Sequence, residues 1–204
     1  MKIFGYPRSI CTRKVLMTLA ETNTPYELVF VDLDKGEHKQ AAYLAVHPFG
    51  LVPALQDGDF EMYEARAMCR YINEKTHGSL IPNALHARAR MEQWISVESA
   101  TFAEPVLKFV LHYIYHFEQS PEALKKAADH LTDVLPILDR QLARFPYFAG
   151  ESFTLADVCF VPHFEYALAI PLKELFSKHT HVMAWWSKVS ARPTWEKVVG
   201  IGNA

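Results

Sequence analysis

The stretch His47-Pro48-Phe49-Gly50-Leu51-Val52-Pro53-Ala54-Leu55, followed nine residues later by Glu64-Ala65-Arg66, decides how the first third of this chain folds. Ala54 and Leu55, the Asp57-Gly58 turn and the run from Phe60 to Tyr63 carry the pattern of a β-hairpin. Proline has no N–H for a ladder, so Pro53 belongs at the first residue or the edge of a strand. Two geometries suit that entry. A trans proline simply starts the strand, whereas a cis Val52-Pro53 bond turns the backbone of Val52 outward and offers its N–H and C=O to an extended partner. The spacing leaves both open.

Upstream, Lys2 to Tyr6 reads as strand, Cys11 to Thr22 as helix and Tyr26 to Asp32 as strand. A helix around Glu37 to Val46 precedes the hairpin, and one from Glu64 to Lys75 follows it. This order, β-α-β then α-β-β-α, predicts a small mixed sheet with helices on its faces, the thioredoxin-like arrangement. His77-Gly78-Ser79-Leu80-Ile81-Pro82-Asn83 then breaks the pattern with turn formers. The predicted organisation is α/β plus all-α: a thioredoxin-like domain over residues 1–76, a linker over 77–85 and an all-helical bundle over 86–204. In the helical part Leu107, Val110, Leu111 and Ile114 share one stripe, and Leu131, Val134, Leu135, Leu138 and Leu142 another. Pro105 predicts a kink, and Ser120-Pro121 a helix start with proline at the first helical position. Thr154-Leu155-Ala156-Asp157 has the spacing of a capping box, a structural role for Asp157.

Half of the 204 residues are hydrophobic, enough for a sizeable core. The 21 basic and 23 acidic residues are mixed along the chain, so charge gives no support for nucleic acid or an anionic membrane as partner. Three cysteines far apart, with no CxxC among them, fit a reducing compartment, and the first residues read as a strand rather than a secretory leader. A cytoplasmic location is expected. His112 and His116 stand four apart without a third ligand, so no metal is expected.

Gly5-Tyr-Pro-Arg-Ser-Ile-Cys-Thr-Arg-Lys-Val15, Gly36-Glu-His-Lys39, Pro48-Phe-Gly50, Val52-Pro-Ala-Leu55 and Glu64-Ala-Arg-Ala67 together resemble the cytosolic glutathione transferases, most closely the phi class. Gln93-Trp94, Val97-Glu98, Phe148 through Asp157 and Arg192-Pro-Thr-Trp195 extend the resemblance over essentially the whole chain. It implies a homodimeric enzyme that uses glutathione as cosubstrate, joins it to hydrophobic electrophiles and reduces organic peroxides. It also implies the cis form of Val52-Pro53, with Phe49 near the partner's helical domain.

By the same resemblance Ser9 activates glutathione, and Arg13 adds positive potential. Ser9 sits between the first strand and the first helix, where backbone N–H groups and the helix dipole favour an anion. Lowering a cysteinyl thiol from about 8.5 to about 6.5 takes roughly 2.7 kcal/mol, within reach of one O–H···S⁻ bond plus a helix end. A plain helix cap is the alternative for Ser9, and a surface ion pair for Arg13. Cys11, in the first turn, is the rival nucleophile through a mixed disulfide; its other reading is a half-buried apolar side chain. For glutathione binding the resemblance implies Val52 and Pro53 as backbone partner, His38 and Lys39 for the glycyl carboxylate, and Glu64 for the γ-glutamyl amine.

Three positions depart from the family pattern. Ala65 stands where a serine is usual, Leu51 where a glutamine or lysine is, and His47 where an asparagine is. Ala65 and Leu51 keep their places at the site but contribute backbone only, so glutathione binding roughly tenfold weaker than in a typical phi enzyme is expected. The hydrophobic acceptor site falls to Ile10, Phe102, Val106, Phe109, Val110 and Tyr113, with Phe160 and Tyr166 further off. Two other functions stay open: a thiol transferase using Cys11, and a non-catalytic scaffold like the amino-terminal domain of the elongation factor one gamma subunit.

Overall fold

In the computed structural model, which describes residues 1–203, β1 (Lys2–Gly5) alternates exposed Lys2 with buried Ile3, the period of a strand with one covered face. α1 (Ile10–Glu21) carries the chain across to β2 (Glu27–Phe30), which pairs with β1 in parallel. β3 (Ala54–Asp57) and β4 (Phe60–Tyr63) form the hairpin, and β3 joins β1 antiparallel, giving the order β2-β1-β3-β4. α3 (Ala65–Lys75) turns Met68, Cys69 and Ile72 inward and packs on α1, which buries Val15, Leu16 and Leu19. The mixed sheet read from the sequence is present. The helix expected over Glu37 to Val46 is instead a 3-10 turn, Glu37–Lys39, and a short α2, Ala41–Leu44, because Gln40 between them is extended at ψ 150°.

Met1–Ile81 and the segment starting at Arg192 form one compact unit, and Pro82–Ala191 forms the other. α10 (Pro193–Asn203) therefore belongs with the sheet, not with the helices that precede it in sequence. Its entry explains why. The Arg192 guanidinium makes a two-pronged bond to Glu21 at 2.7 and 2.6 Å, the Thr194 hydroxyl joins the same carboxylate, and Trp195 is buried.

The second unit begins with α4 (Leu85–Val97), a π-helical turn (Glu98–Phe102) and α5 (Ala103–Tyr113). Pro105 cannot donate to the carbonyl of Thr101, and His130 Nε2 donates to that oxygen instead at 2.9 Å. On α5 the buried face is Val106, Phe109 and Val110, continuing from Phe102 in the π-helical turn, while Leu107 is exposed, so the stripe expected from Leu107 is displaced. Two apolar stripes overlap there, and the one bearing the larger rings is buried. α6 (Pro121–Arg144) follows the spacing: Ser120 Oγ accepts from the Ala123 N–H at 3.2 Å, and Leu131, Val134, Leu135, Leu138 and Leu142 are buried. α7 (Leu155–Leu168), α8 (Lys173–Phe176) and α9 (Thr180–Ser190) complete the unit.

α7 starts with the expected capping box. Asp157 is fully buried and accepts from the N–H groups of Thr154 (3.0 Å) and Phe148 (3.1 Å), the Thr154 hydroxyl (3.3 Å) and the Trp185 indole (2.9 Å). Burial pushes its carboxyl up to about 6, and the four donors pull the other way.

Candidate active site

The register of the sheet brings the segments bearing Ser9, Val52-Pro53, Glu64 and the His38-Lys39 turn to one end of the sheet. Phe4, Ala54 and Tyr63 stand in one row across β1, β3 and β4, and Gly5 faces Phe30 on β2. Beyond that row the chain runs from β1 into Ser9, from β4 into Glu64 and from β2 toward His38 and Lys39, while Val52-Pro53 leads into β3. Four connections therefore leave the same edge of the unit. A sheet end of this kind is where α/β folds place their ligand sites.

Ser9 is the N-cap of α1. Its Oγ accepts from the Thr12 N–H at a long 3.4 Å, and its carbonyl accepts the first helical bond, from Arg13 N, at 2.9 Å. Ile10 is buried, and Cys11 is a half-buried free thiol in the first turn. Arg13 is not at the surface, which corrects the exposed position expected for it. The helix face it occupies turns inward, so it is 4% exposed, donates from Nε to the Pro7 carbonyl at 3.0 Å and lies 6.0 Å from the Trp195 ring centroid.

Val52-Pro53 is cis, and the ladder starts at Ala54, leaving Val52 outside it. Leu51 has an exposed side chain, and its carbonyl accepts from the Tyr43 hydroxyl at 2.7 Å. Burial of that phenol pushes it up to about 12, which keeps it a donor. Lys39 Nζ donates to the Gly50 carbonyl at 2.8 Å, bracing the same loop. Gly50 has φ +58°, and a Cβ there would stand 2.7 Å from the His38 carbonyl oxygen, so only glycine lets the two segments approach. His38 Nδ1 and His47 Nδ1 are buried without a hydrogen-bond partner among the described residues; burial lowers the basicity of both, helped at His38 by the Lys39 charge and opposed at His47 by the Glu64 charge. The His47 ring stacks on Tyr63 with centroids 4.6 Å apart.

Glu64 occupies the left-handed region at φ +73°, unusual for a residue with a side chain, and does not cap α3. Ala65, at the start of that helix, is buried. Strain of this kind concentrates where a backbone group is aimed at a ligand. Of the acceptor candidates in the helical unit, Phe102, Val106 and Val110 lie in its interior, Phe109 is nearly buried and Tyr113 is 40% exposed.

Sequence reasoning gave no role to Tyr43 or Gly50 and placed α10 with the helical bundle rather than with the sheet. Gly50 between two prolines carried a usable signal; the Tyr43 contact had none, since it joins positions eight apart in an irregular segment.

Comparison with known proteins bears on this geometry. The model of the glutathione S-transferase N-terminal domain matches residues 1–74, and that of the C-terminal domain residues 92–193. Glutathione S-transferase F9 of Arabidopsis thaliana is 36% identical over 98% of this chain and 96% of its own. The crystal structure of poplar glutathione transferase F1 superposes with a TM-score of 0.93 at 34% identity, covering 100% of this chain and 98% of the other. Glutathione S-transferase I from maize, solved with an atrazine glutathione conjugate, gives 0.90 at 28% identity over 99% and 97%. The serine-led first turn, the cis proline and the glutamate at the head of α3 thus stand in a chain that belongs to the glutathione S-transferases and has plant phi-class enzymes among its relatives.

Proposed function

We propose that the protein conjugates glutathione to apolar electrophiles, with Ser9 stabilising the thiolate at the N-terminus of α1. The convergence of Ser9, Val52-Pro53, Glu64 and the His38-Lys39 turn at one sheet end carries this reading. Among the described residues Ser9 Oγ makes one long bond, so its hydroxyl is available to donate to sulfur, and the helix end adds its positive potential. Val52 supplies the strand-like partner for the extended tripeptide. Lys39 and His38 take the glycyl carboxylate, Glu64 the γ-glutamyl amine and the Ala65 N–H the γ-glutamyl carboxylate. The thiol proton leaves to solvent, the sulfur pair forms the new C–S bond, and the leaving group departs with its bonding pair. Organic peroxides are reduced when the same thiolate attacks one peroxide oxygen: the O–O bond breaks, the alkoxide leaves and takes a proton, and a second glutathione turns the resulting sulfenic acid into glutathione disulfide and water.

The acceptor lies against apolar side chains, and of the candidates in the helical unit Tyr113 is the exposed one. The maize relative with its atrazine conjugate supports an electrophile of that class. Phe49, 65% exposed although edge-on to Tyr63 at 5.8 Å, supports a homodimer in which it enters the partner. A monomeric mass in solution refutes that assembly. The free cysteines support a cytoplasmic setting. Conjugation of a chloronitrobenzene and reduction of hydroxyethyl disulfide, each measured in wild type, Ser9→Ala and Cys11→Ala, test the mechanism. Conjugation lost with Ser9→Ala alone is the expected result. Conjugation that survives Ser9→Ala sinks it, and disulfide reduction that depends on Cys11 establishes the thiol-transferase reading instead.

A further inference from the structure

Arg13 fastens the Ser9 loop from both sides. Its backbone N–H donates to the Ser9 carbonyl at 2.9 Å, and its Nε donates to the Pro7 carbonyl at 3.0 Å. Pro7, Arg8 and Ser9 are therefore held between two bonds to a single residue. α10 closes this arrangement from outside, with Trp195 beneath the guanidinium and Gly202, in its last turn, directly against it. A Cβ on Gly202 would stand 2.7 Å from a guanidinium nitrogen of Arg13 and 3.4 Å from the Pro7 carbonyl oxygen. Arg13 is 4% exposed and its Nε is committed to the Pro7 carbonyl, so the guanidinium gives way only at the expense of that bond. At its other end α10 is tied by Arg192 and Thr194 to Glu21, the last residue of α1. Both ends of α10 are thus anchored along α1, and one anchor bears on the bond that shapes the Ser9 loop.

We propose that α10 positions the Ser9 hydroxyl, with Gly202 and Arg13 as positioning residues that act through the Pro7 carbonyl. The proposal rests on the reading of Ser9 as the group that meets the thiolate. An O–H···S⁻ bond is directional, and a displacement of a fraction of an ångström at Pro7 re-aims Ser9 two residues on. Arg13 matters here for where it holds the loop, not for the charge it brings.

Gly202→Ala and Gly200→Ala make the same change two residues apart on one helix, and a Cβ at Gly200 meets nothing within 4 Å. The pH profile of kcat/KM for chloronitrobenzene conjugation by the full chain separates them. Gly200→Ala keeps the wild-type profile. Gly202→Ala lowers the neutral-pH value about tenfold and moves the acid limb up by about one unit. Arg13→Lys retains the charge but not the fork of donors, and gives the same shift; it also serves if Gly202→Ala does not fold. Joined in one chain, the two substitutions add little beyond either alone. Wild-type profiles for Gly202→Ala and Arg13→Lys, beside a shifted Ser9→Ala, overturn the positioning role and leave Ser9 standing. A shift in Gly202→Ala without one in Arg13→Lys takes Arg13 out of the path and overturns it as well. An unshifted Ser9→Ala removes the Ser9 reading itself, and the proposal with it.

Discussion

The first turns of α1 and α7 are both capped by a side-chain oxygen, yet the two caps are filled to very different degrees. At α7, Thr154 accepts from the Ala156 N–H at 3.3 Å while Asp157 gathers four donors, and every group is buried. At α1, Ser9 is half-exposed and receives one N–H at 3.4 Å. A cap whose hydrogen-bonding capacity is used up by its own chain contributes stability and nothing else. A cap with lone pairs and a hydroxyl to spare, at the positive end of a helix, is fit to receive a ligand.

Substitution at the filled cap gives the largest effect. Asp157→Ala strands the N–H groups of Thr154, Phe148 and Trp185 in the core and is expected to cost about 4 kcal/mol of unfolding free energy. Denaturant unfolding followed by tryptophan fluorescence measures it; a loss under about 1 kcal/mol would erase the contrast. Next comes pH. With its carboxyl at about 6 in the fold against 3.8 in the unfolded chain, Asp157 keeps a proton in the native state that the unfolded state has lost. Its contribution is full below about pH 4 and fades as pH rises through about 6, an amplitude of about 3 kcal/mol. Asp157→Asn flattens that part of the stability profile.

At the unfilled cap stability barely changes and activity does. Ser9→Ala costs about 1 kcal/mol of stability. It lowers conjugation at neutral pH roughly thirtyfold, because a thiol returned toward about 8.5 is only a few per cent ionised. The smallest effect concerns the third helix end, α3, where no side chain caps the first turn. Ala65→Ser adds a hydroxyl there and tightens glutathione about tenfold by calorimetry, a bond to a charged group being the difference.

What the sequence made legible follows the reach of each interaction. Thr154 with Asp157, Ser120 with Pro121, and Asp57-Gly58 between two short strands are settled within a few positions, and each stands where the spacing put it. Ser9 was legible as a helix cap by the same local logic, and as more than a cap only through the family pattern. Arg13 was misread because its burial depends on Trp195 and Gly202, far along the chain, and nothing near Arg13 announces them. The stripe on α5 was misread because two apolar faces overlap and only the packed unit chooses between them. Glu64 was legible as a carboxylate at a helix start, but not its left-handed backbone, which no residue type dictates.

The tie between Glu21 and Arg192 spans 171 positions and sets the order in which the protein matures. At roughly 5 to 20 residues per second, synthesis brings out Arg192 on the order of 10 to 30 s after Glu21. The helical unit, unbroken in the chain, is complete before α10 exists. The half that begins first is completed only after the helical unit has emerged, and the loop bearing Ser9 waits for α10 to receive its support.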